Sequence, residues 1–368
     1  MCGIVGGMDT SGGMLSGGDF IEAIRVQHER GNGLGGGFAA YGIYPELSRY
    51  YALHVACENQ RVADLAEEFI RAHLYVKIAE DMPTRDVKNI PSHPLLRRYF
   101  TYPGPSNEDL KLSNLGVSTV HEQRDVVETY MKSFVFTFNS SIPGAFVMSC
   151  GRNMGVFKGL GYPEEIGEFF LLDRMEAPLW IGHSRFPTNT QSWWGGAHPF
   201  SILDWAVVHN GEITSYGVNR NYLEMYDYRC TLKTDTEVIS YLFDLLVRVR
   251  GMSLEDACTV LSPPLWEEID AVEDSRERDR LTRLRQCYPQ ALLNGPFAVL
   301  AANGREMIAL NDNLKLRPLV GARDGARFFF SSEECSFQVL CPHREETWML
   351  PGGRPHIVRM QEAGHAAA

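Results

Sequence analysis

The chain has 368 residues, 44% hydrophobic and 22% charged, enough apolar mass for a buried core and too little bias for disorder over most of its length. Lys plus Arg number 35 against 46 Asp plus Glu, a net charge of −11, which argues against nucleic acid as a partner because that affinity comes largely from counterions released by basic side chains. The longest apolar stretches, such as Ile239 to Val249, carry Asp244 and Arg248 and fall short of the roughly 18 residues a membrane span needs.

Taken in chain order, residues 2–7 form a short apolar run that predicts a buried strand, followed by a helix over Asp19 to Arg30 with an N-cap among Ser16 to Asp19. Gly31 to Gly37 reads as a flexible glycine-dense turn into a strand at Phe38 to Tyr44. Pro45 to about Gly144 is hard to read beyond two amphipathic helices, Arg61 to Tyr75 and Gln123 to Phe136. Ala145 to Lys158 predicts one or two strands, and Pro163 to Phe170 a short helix. Leu179 to Phe186 and Trp205 to His209 are strand-like. A strong helix is expected over Asp235 to Val249 and a charged one over Leu265 to Gln286. Short strands at 298–302, 306–310, 327–331, 347–350 and 356–359 then alternate with a helix near Glu333 to Leu340, and Gly364 to Ala368 reads as a frayed tail. This grouping suggests α+β layers rather than a βαβ wind.

The N-terminus, Met1 to Met8, lacks the basic and apolar regions of a signal peptide, which places the protein in the cytoplasm. The eight cysteines are scattered, with no Cys-x-x-Cys pair or zinc-type cluster, and most read as small buried hydrophobes. Cys2 differs. Removal of Met1 would leave it a thiol and a free α-amine, a nucleophile with its own base.

The segments 182–190, 197–200 and 208–213 set many polar residues between apolar strands, where each must be satisfied or functional. With Met1-Cys2-Gly3-Ile4-Val5-Gly6, Gln27-His28-Glu29-Arg30-Gly31, His183 to Thr190, Ala197 to Phe200, His209 to Ile213 and Thr234-Asp235-Thr236-Glu237, the sequence resembles the class II glutamine amidotransferases, N-terminal nucleophile hydrolases, and among them most closely the amidotransferase domain of glutamate synthase. Phe157-Lys158-Gly159, Asn294 to Phe297, Arg317-Pro318 and Ser332-Glu333-Glu334 extend the likeness over nearly the whole chain.

The resemblance implies that Cys2 attacks the side-chain amide of L-glutamine, releases ammonia and leaves a γ-glutamyl thioester that water cleaves. It implies oxyanion donors from Asn210 and the Gly211 amide, a fork from Arg185 with Thr188 beside it for the α-carboxylate, and Asp235 for the α-ammonium. Phe186 and Asn189 are expected to line the pocket, and Arg30 to stand near the nucleophile, although Glu29 is an addition to the usual Gln-His-Arg-Gly. Asn210-Gly211 alone would read as a tight hairpin turn, which could itself present the donors. His183, His198 and His209 are expected as structural hydrogen-bonders.

The implied fold is a four-layer α-β-β-α sandwich of two antiparallel sheets, one amidotransferase domain over 1–368 with an insertion at about 45–144 packed at its edge. Glutamate synthase joins such a domain to an FMN-binding barrel and a glycine-repeat β-helix. This chain contains neither, so no cofactor is expected in it, and FMN and an iron–sulfur cluster belong, if anywhere, to partner subunits. The expectation is a glutaminase subunit feeding ammonia to a separate FMN-containing glutamate-synthase-like subunit beside a glycine-repeat subunit, as in a split glutamate synthase or an N-methylglutamate synthase. A free-standing amidohydrolase and a non-catalytic subunit that kept the fold remain open alternatives.

Overall fold

The computed structural model describes residues 1–90, 92–104, 120–187 and 192–361, apart from the side chains of 120–123. Its centre is a pair of antiparallel sheets. The first has seven strands in the order Glu346–Met349, Val320–Asp324, Arg327–Ser331, Gly3–Asp9, Leu179–Ser184, Gly36–Tyr41 and Met154–Gly159. The second has five, in the order Phe200–Ile202, Trp205–Gly211, Phe297–Ala302, Glu306–Asn311 and His356–Arg359.

Side-chain alternation shows what each face meets. On the first sheet Ile4, Met8, Ala39, Tyr41, Leu179 and Ile181 join Ala206, Val208, Leu300 and Met307 of the second in one buried cluster, the layer between the sheets. The intervening residues Val5, Phe38, Ala40 and Trp180 face outward, against Phe20, Ile21 and Ile24 of the helix Gly17–Arg25 and Ile166 and Phe169 of the helix Pro163–Phe169. On the second sheet Val207, Val299 and Ile308 pack against Val238, Ile239 and Leu242 of the helix Asp235–Phe243. Both sheets are therefore covered on both faces, which is the four-layer α-β-β-α sandwich.

A third sheet extends this picture. Strands Leu74–Asp81, Leu95–Pro103 and Tyr51–Cys57, together with Ala145–Arg152, form a four-stranded antiparallel sheet, and helices Gln60–His73 and Val120–Ser141 join the same core as the second sheet. The expected helices over 61–75 and 123–136 are present. Of these strands, Ala145–Arg152 falls in the stretch expected as strand, whereas Leu74–Asp81 and Leu95–Pro103 carry residues such as Arg97, Arg98 and Glu80 whose charge is paired across the sheet, which masks the apolar alternation.

Several boundaries differ from expectation. The first helix stops at Arg25, since Gln27 turns inward to donate to Ser331 and Ser336, and a 3₁₀ turn, His28–Arg30, follows. Its cap is Ser16, whose hydroxyl accepts from the Gly18 amide at 3.2 Å. The helix from Asp235 widens into a π-helical turn over Asp244–Val249, and the charged stretch is two helices, Trp266–Asp270 and Ser275–Cys287. Gly36 and Gly37 lie inside a strand, not in a flexible turn. A Cβ on Gly36 would stand 2.7 Å from Pro163 Cα, and one on Gly37 2.5 Å from the carbonyl oxygens of His198 and Phe157, so these glycines permit close packing. No helix of the described residues is long and apolar enough to cross a membrane.

Candidate active site

The register of the first sheet builds the site. Gly3 of the N-terminal strand pairs with Ser184, and Ser184 pairs on its other side with Gly36. Cys2 precedes the first of these strands and Arg185 follows the second, so the antiparallel arrangement delivers both to the same end of the sheet. The Phe186 amide donates to Cys2 Sγ at 3.3 Å. Cys2 and Arg185 line one cavity of about 320 Å³ with Phe186, Gly211 and Asp235.

The strand that follows Cys2 is held firmly at this end. The Ile4 amide donates to Ser332 Oγ at 3.1 Å, and the Ser332 amide returns a bond to Ile4 O at 3.0 Å. Arg30 Nε donates to the carbonyl of Cys2 at 3.1 Å while its Nη1 pairs with Glu333. The Ser332-Glu333 motif thus acts on the backbone of residues 2–4. The sequence alone assigns that motif no role, because its bonds to residues 2–4 and Arg30 span about 300 residues or more of chain.

Burial raises the pKa of the Cys2 thiol and is the largest influence on it. The Phe186 amide and the Arg185 charge act against the rise, and Asp235 adds to it. Such a thiol stays protonated near neutrality unless a local base takes its proton. Arg185 is itself 4% exposed, anchored through its backbone to Gly35 O and Asn32 N and through Nη1 to Leu34 O at 3.4 Å. Asp235 opens its helix, and its Oδ2 accepts the Ile213 amide at 3.0 Å, which ties the helix start to the segment following Gly211.

Asn210 and Gly211 are not a hairpin turn. They end the strand Trp205–Gly211 and pair with Ala298 and Phe297, and the chain returns to Phe297 only after more than 80 further residues. Gly211 has φ +154°, and a Cβ there would lie 2.0 Å from Pro296 O. No other residue fits. Asn210 is 1% exposed, and its Nδ2 meets no acceptor among the described residues.

Three buried histidines back the cavity. His183 Nε2 bonds the His209 carbonyl at 3.1 Å and so links the two sheets, and the His183 and His198 rings stack at 3.8 Å. Burial holds all three below the ordinary histidine pKa, His183 at about 3. Behind them lies a buried lysine, Lys158, its Nζ bonded to Gly195 O at 3.1 Å and its pKa pushed down by burial to about 7.

The structure therefore brings Cys2, Arg185, Phe186, Gly211 and Asp235 to one cavity, with Asn210 next to Gly211 in the strand and Arg30 on the Cys2 backbone. Phe186 is 40% exposed, and its bond to Cys2 is through its backbone. Thr188 and Asn189 lie outside the described residues. A larger cavity, about 630 Å³ and mostly apolar, lies where the end of the helix Val120–Ser141 and the 142–146 segment after it meet the 92–94, 192–194 and 231–232 segments, and neither Cys2 nor Asp235 lines it. Cys2, Arg185, Gly211 and Asp235 all line the smaller one.

Residues 137–339 match the family described as glutamine amidotransferases class-II. An uncharacterized protein of Archaeoglobus fulgidus is 44% identical over 98% of this chain and 92% of its own length. A protein of Methanothermobacter thermautotrophicus, named as a proposed glutamine amidotransferase, is 25% identical over 96% of this chain and 98% of its own. The large chain of glutamate synthase [NADPH] from Bacillus subtilis is 26% identical over 49% of this chain, which spans 12% of that much longer protein.

Proposed function

The chain belongs to the class II glutamine amidotransferases, and from that premise we propose that it hydrolyses L-glutamine through a Cys2 thioester and passes the ammonia to a separate synthase subunit. The observation that carries the reading is the single cavity in which Cys2 meets Arg185, Asp235 and Gly211. A nucleophile at a strand end, a cation and an anion form what an amino acid held by its two charged ends requires.

In this mechanism Arg185 binds the α-carboxylate and Asp235 the α-ammonium, so the side-chain amide is directed to Cys2 Sγ. The mechanism needs a free amine on Cys2, hence loss of Met1. That amine takes the thiol proton as sulfur attacks the amide carbon and later hands it to the departing ammonia. Negative charge collecting on the amide oxygen is met by Asn210 Nδ2 and the Gly211 amide. A buried donor without a partner costs roughly 1–3 kcal/mol, and Asn210 Nδ2 would recover that loss when the oxyanion forms. Water then cleaves the thioester to glutamate.

For the destination of the ammonia, the reading rests on the motifs shared with glutamate synthase. We place FMN and any iron–sulfur cluster in partner subunits, an FMN-containing glutamate-synthase-like subunit and a glycine-repeat subunit, and none in this chain. The test is glutamate release from L-glutamine by the purified chain, alone and with subunits co-purified from its source, with Cys2→Ala as control. Activity retained by Cys2→Ala would overturn the mechanism. Full activity in the lone chain, unchanged by any partner, would overturn the subunit reading.

A further inference from the structure

Thr236, fully buried at the second position of the helix Asp235–Phe243, sits at a junction that the scheme above leaves unused. Its Oγ1 lies 2.7 Å from His198 Nε2, 3.2 Å from His209 Nδ1 and 3.4 Å from Asp235 Oδ1. A hydroxyl has one proton to give and two lone pairs. An ionised carboxylate can only accept, so the contact to Asp235 uses the hydroxyl proton and both imidazoles must donate. His198 then carries its proton on Nε2 and His209 on Nδ1. The nitrogens left bare are His198 Nδ1 and His209 Nε2, and these are the two that are buried without a partner among the described residues. The third imidazole obeys the same rule, since His183 Nε2 must donate to a carbonyl and its Nδ1 is bare.

We propose that Thr236 is a positioning residue for glutamine binding, its hydroxyl fixing the tautomer of His209 so that Nε2 stays bare beside Gly211 and turning Asp235 toward the α-ammonium. A Cβ built on Gly211 would lie 2.8 Å from His209 Nε2, so that nitrogen stands directly behind the Gly211 backbone, and both residues line the cavity with Cys2. His209 Nδ1 is only 3.8 Å from Asp235 Oδ2. Without the hydroxyl, the imidazole's natural alternative is an ion pair with Asp235, which would spend the carboxylate on the protein instead of the substrate. The groups facing His209 set this balance: Asp235 and Glu212 favour its charge, and burial and Arg317 oppose it, with His183, His198, Arg185 and Lys158 beyond. Threonine supplies three bonds at once, which neither valine nor alanine can.

The proposal rests on the glutaminase reading, and the experiment separates the two. Thr236→Val keeps the shape and removes the hydroxyl. Its glutamine KM should rise by about tenfold at neutral pH, with kcat within about threefold, as expected when a binding group is misdirected and the nucleophile is not. Its KM should climb further between pH 8 and pH 6 as His209 gains a proton, whereas the unsubstituted protein should show no such rise. Thr236→Ser should restore both. Unchanged KM in Thr236→Val, or equal impairment in Thr236→Ser, would overturn the proposal. Long-range ¹H–¹⁵N spectra of histidine-labelled unsubstituted protein give a second measurement that does not depend on the variant folding. They should show His209 neutral with its proton on Nδ1 and His198 neutral with its proton on Nε2. The opposite tautomer or an imidazolium at pH 7 would overturn it. If the unsubstituted protein does not hydrolyse glutamine at all, the glutaminase reading falls, and the tautomers alone decide what the hydroxyl does.

Discussion

Arg30 Nε donates to the backbone carbonyl of Cys2 at 3.1 Å, across 28 residues of chain. The contact touches no reacting atom, yet it fixes the peptide from which the thiol projects, with Glu333 bracing the guanidinium from behind. Arg30→Ala should therefore lower kcat for glutamine by about tenfold or more while leaving KM nearly unchanged, because a misplaced nucleophile costs rate and not binding. Arg30→Lys should recover little, since one ammonium cannot serve both the carbonyl and Glu333. Steady-state glutaminase kinetics check this, with near-ultraviolet circular dichroism to show the fold is kept. A rise in KM at constant kcat would mean that Arg30 acts on substrate.

The raised pKa of the Cys2 thiol has a readable consequence. Burial leaves less thiolate at neutral pH than an ordinary cysteine has, so alkylation of residue 2 by a neutral reagent should be slow at pH 7 and accelerate past the point where free cysteine levels off. A glutamine-analogue electrophile should behave differently, labelling Cys2 rapidly at pH 7 because it is held at both ends and draws on the local base. Peptide mass mapping after each reagent tests the pair of expectations. Equal rates for the two reagents would leave no role for the clamp.

Substrate clamping and oxyanion stabilisation separate kinetically. Arg185→Lys and Asp235→Asn should each weaken kcat/KM by about 2–4 kcal/mol, the cost of losing a charged partner in a partly desolvated site. Asn210→Ala should act on kcat, by on the order of 100-fold, as for one lost oxyanion donor. Gly211→Ala should not fold stably, because its Cβ would have to occupy a position 2.0 Å from Pro296 O. Chemical denaturation distinguishes this last case from a purely catalytic loss.

How far the sequence carried these assignments depends on the kind of residue. Cys2, Arg185 and Asp235 could be read because each sits in a contiguous motif whose residue types match the chemistry, and the sheet register then brings them to one cavity. Asn210-Gly211 misled locally, since Asn-Gly favours a two-residue turn, and only the pairing with Phe297–Ala302 shows that it ends a strand. Thr236 could not be found from sequence at all. Its role depends on two histidines 27 and 38 residues away arriving at one oxygen, and nothing in a threonine between two acids announces that. Two strands of the third sheet, Leu74–Asp81 and Leu95–Pro103, were hidden for a related reason: they carry cross-strand pairs such as Arg98 with Glu80, whose partners only the fold identifies.

The buried histidines also set how stability responds to acid. His54 lies on the strand Tyr51–Cys57, wholly buried, its Nδ1 bonded to Val156 O at 3.2 Å and its Nε2 to Tyr44 OH at 3.0 Å. Burial, aided by the charge of Arg98, pushes its pKa down to about 3, from an ordinary value of 6.5. His183 falls to about 3 as well. Between pH 6.5 and 3 the unfolded chain binds these protons and the folded chain refuses them, so stability is complete above 6.5 and declines as pH falls. Each contributes a slope of roughly 1.4 kcal/mol per pH unit. Glu237 opposes this: burial raises its pKa to about 7, so from pH 7 down to 4.5 the folded state takes up a proton that the unfolded state does not, which offsets about one histidine. His54→Asn should consequently lose some stability at pH 7 and yet show a shallower fall on acidification. The difference between its unfolding free energy and that of the unsubstituted protein should narrow by roughly 2 kcal/mol between pH 7 and pH 5. Urea titrations at half-unit intervals over that range measure it. A constant difference at all pH values would mean that His54 takes up its proton in the folded state as readily as in the unfolded one.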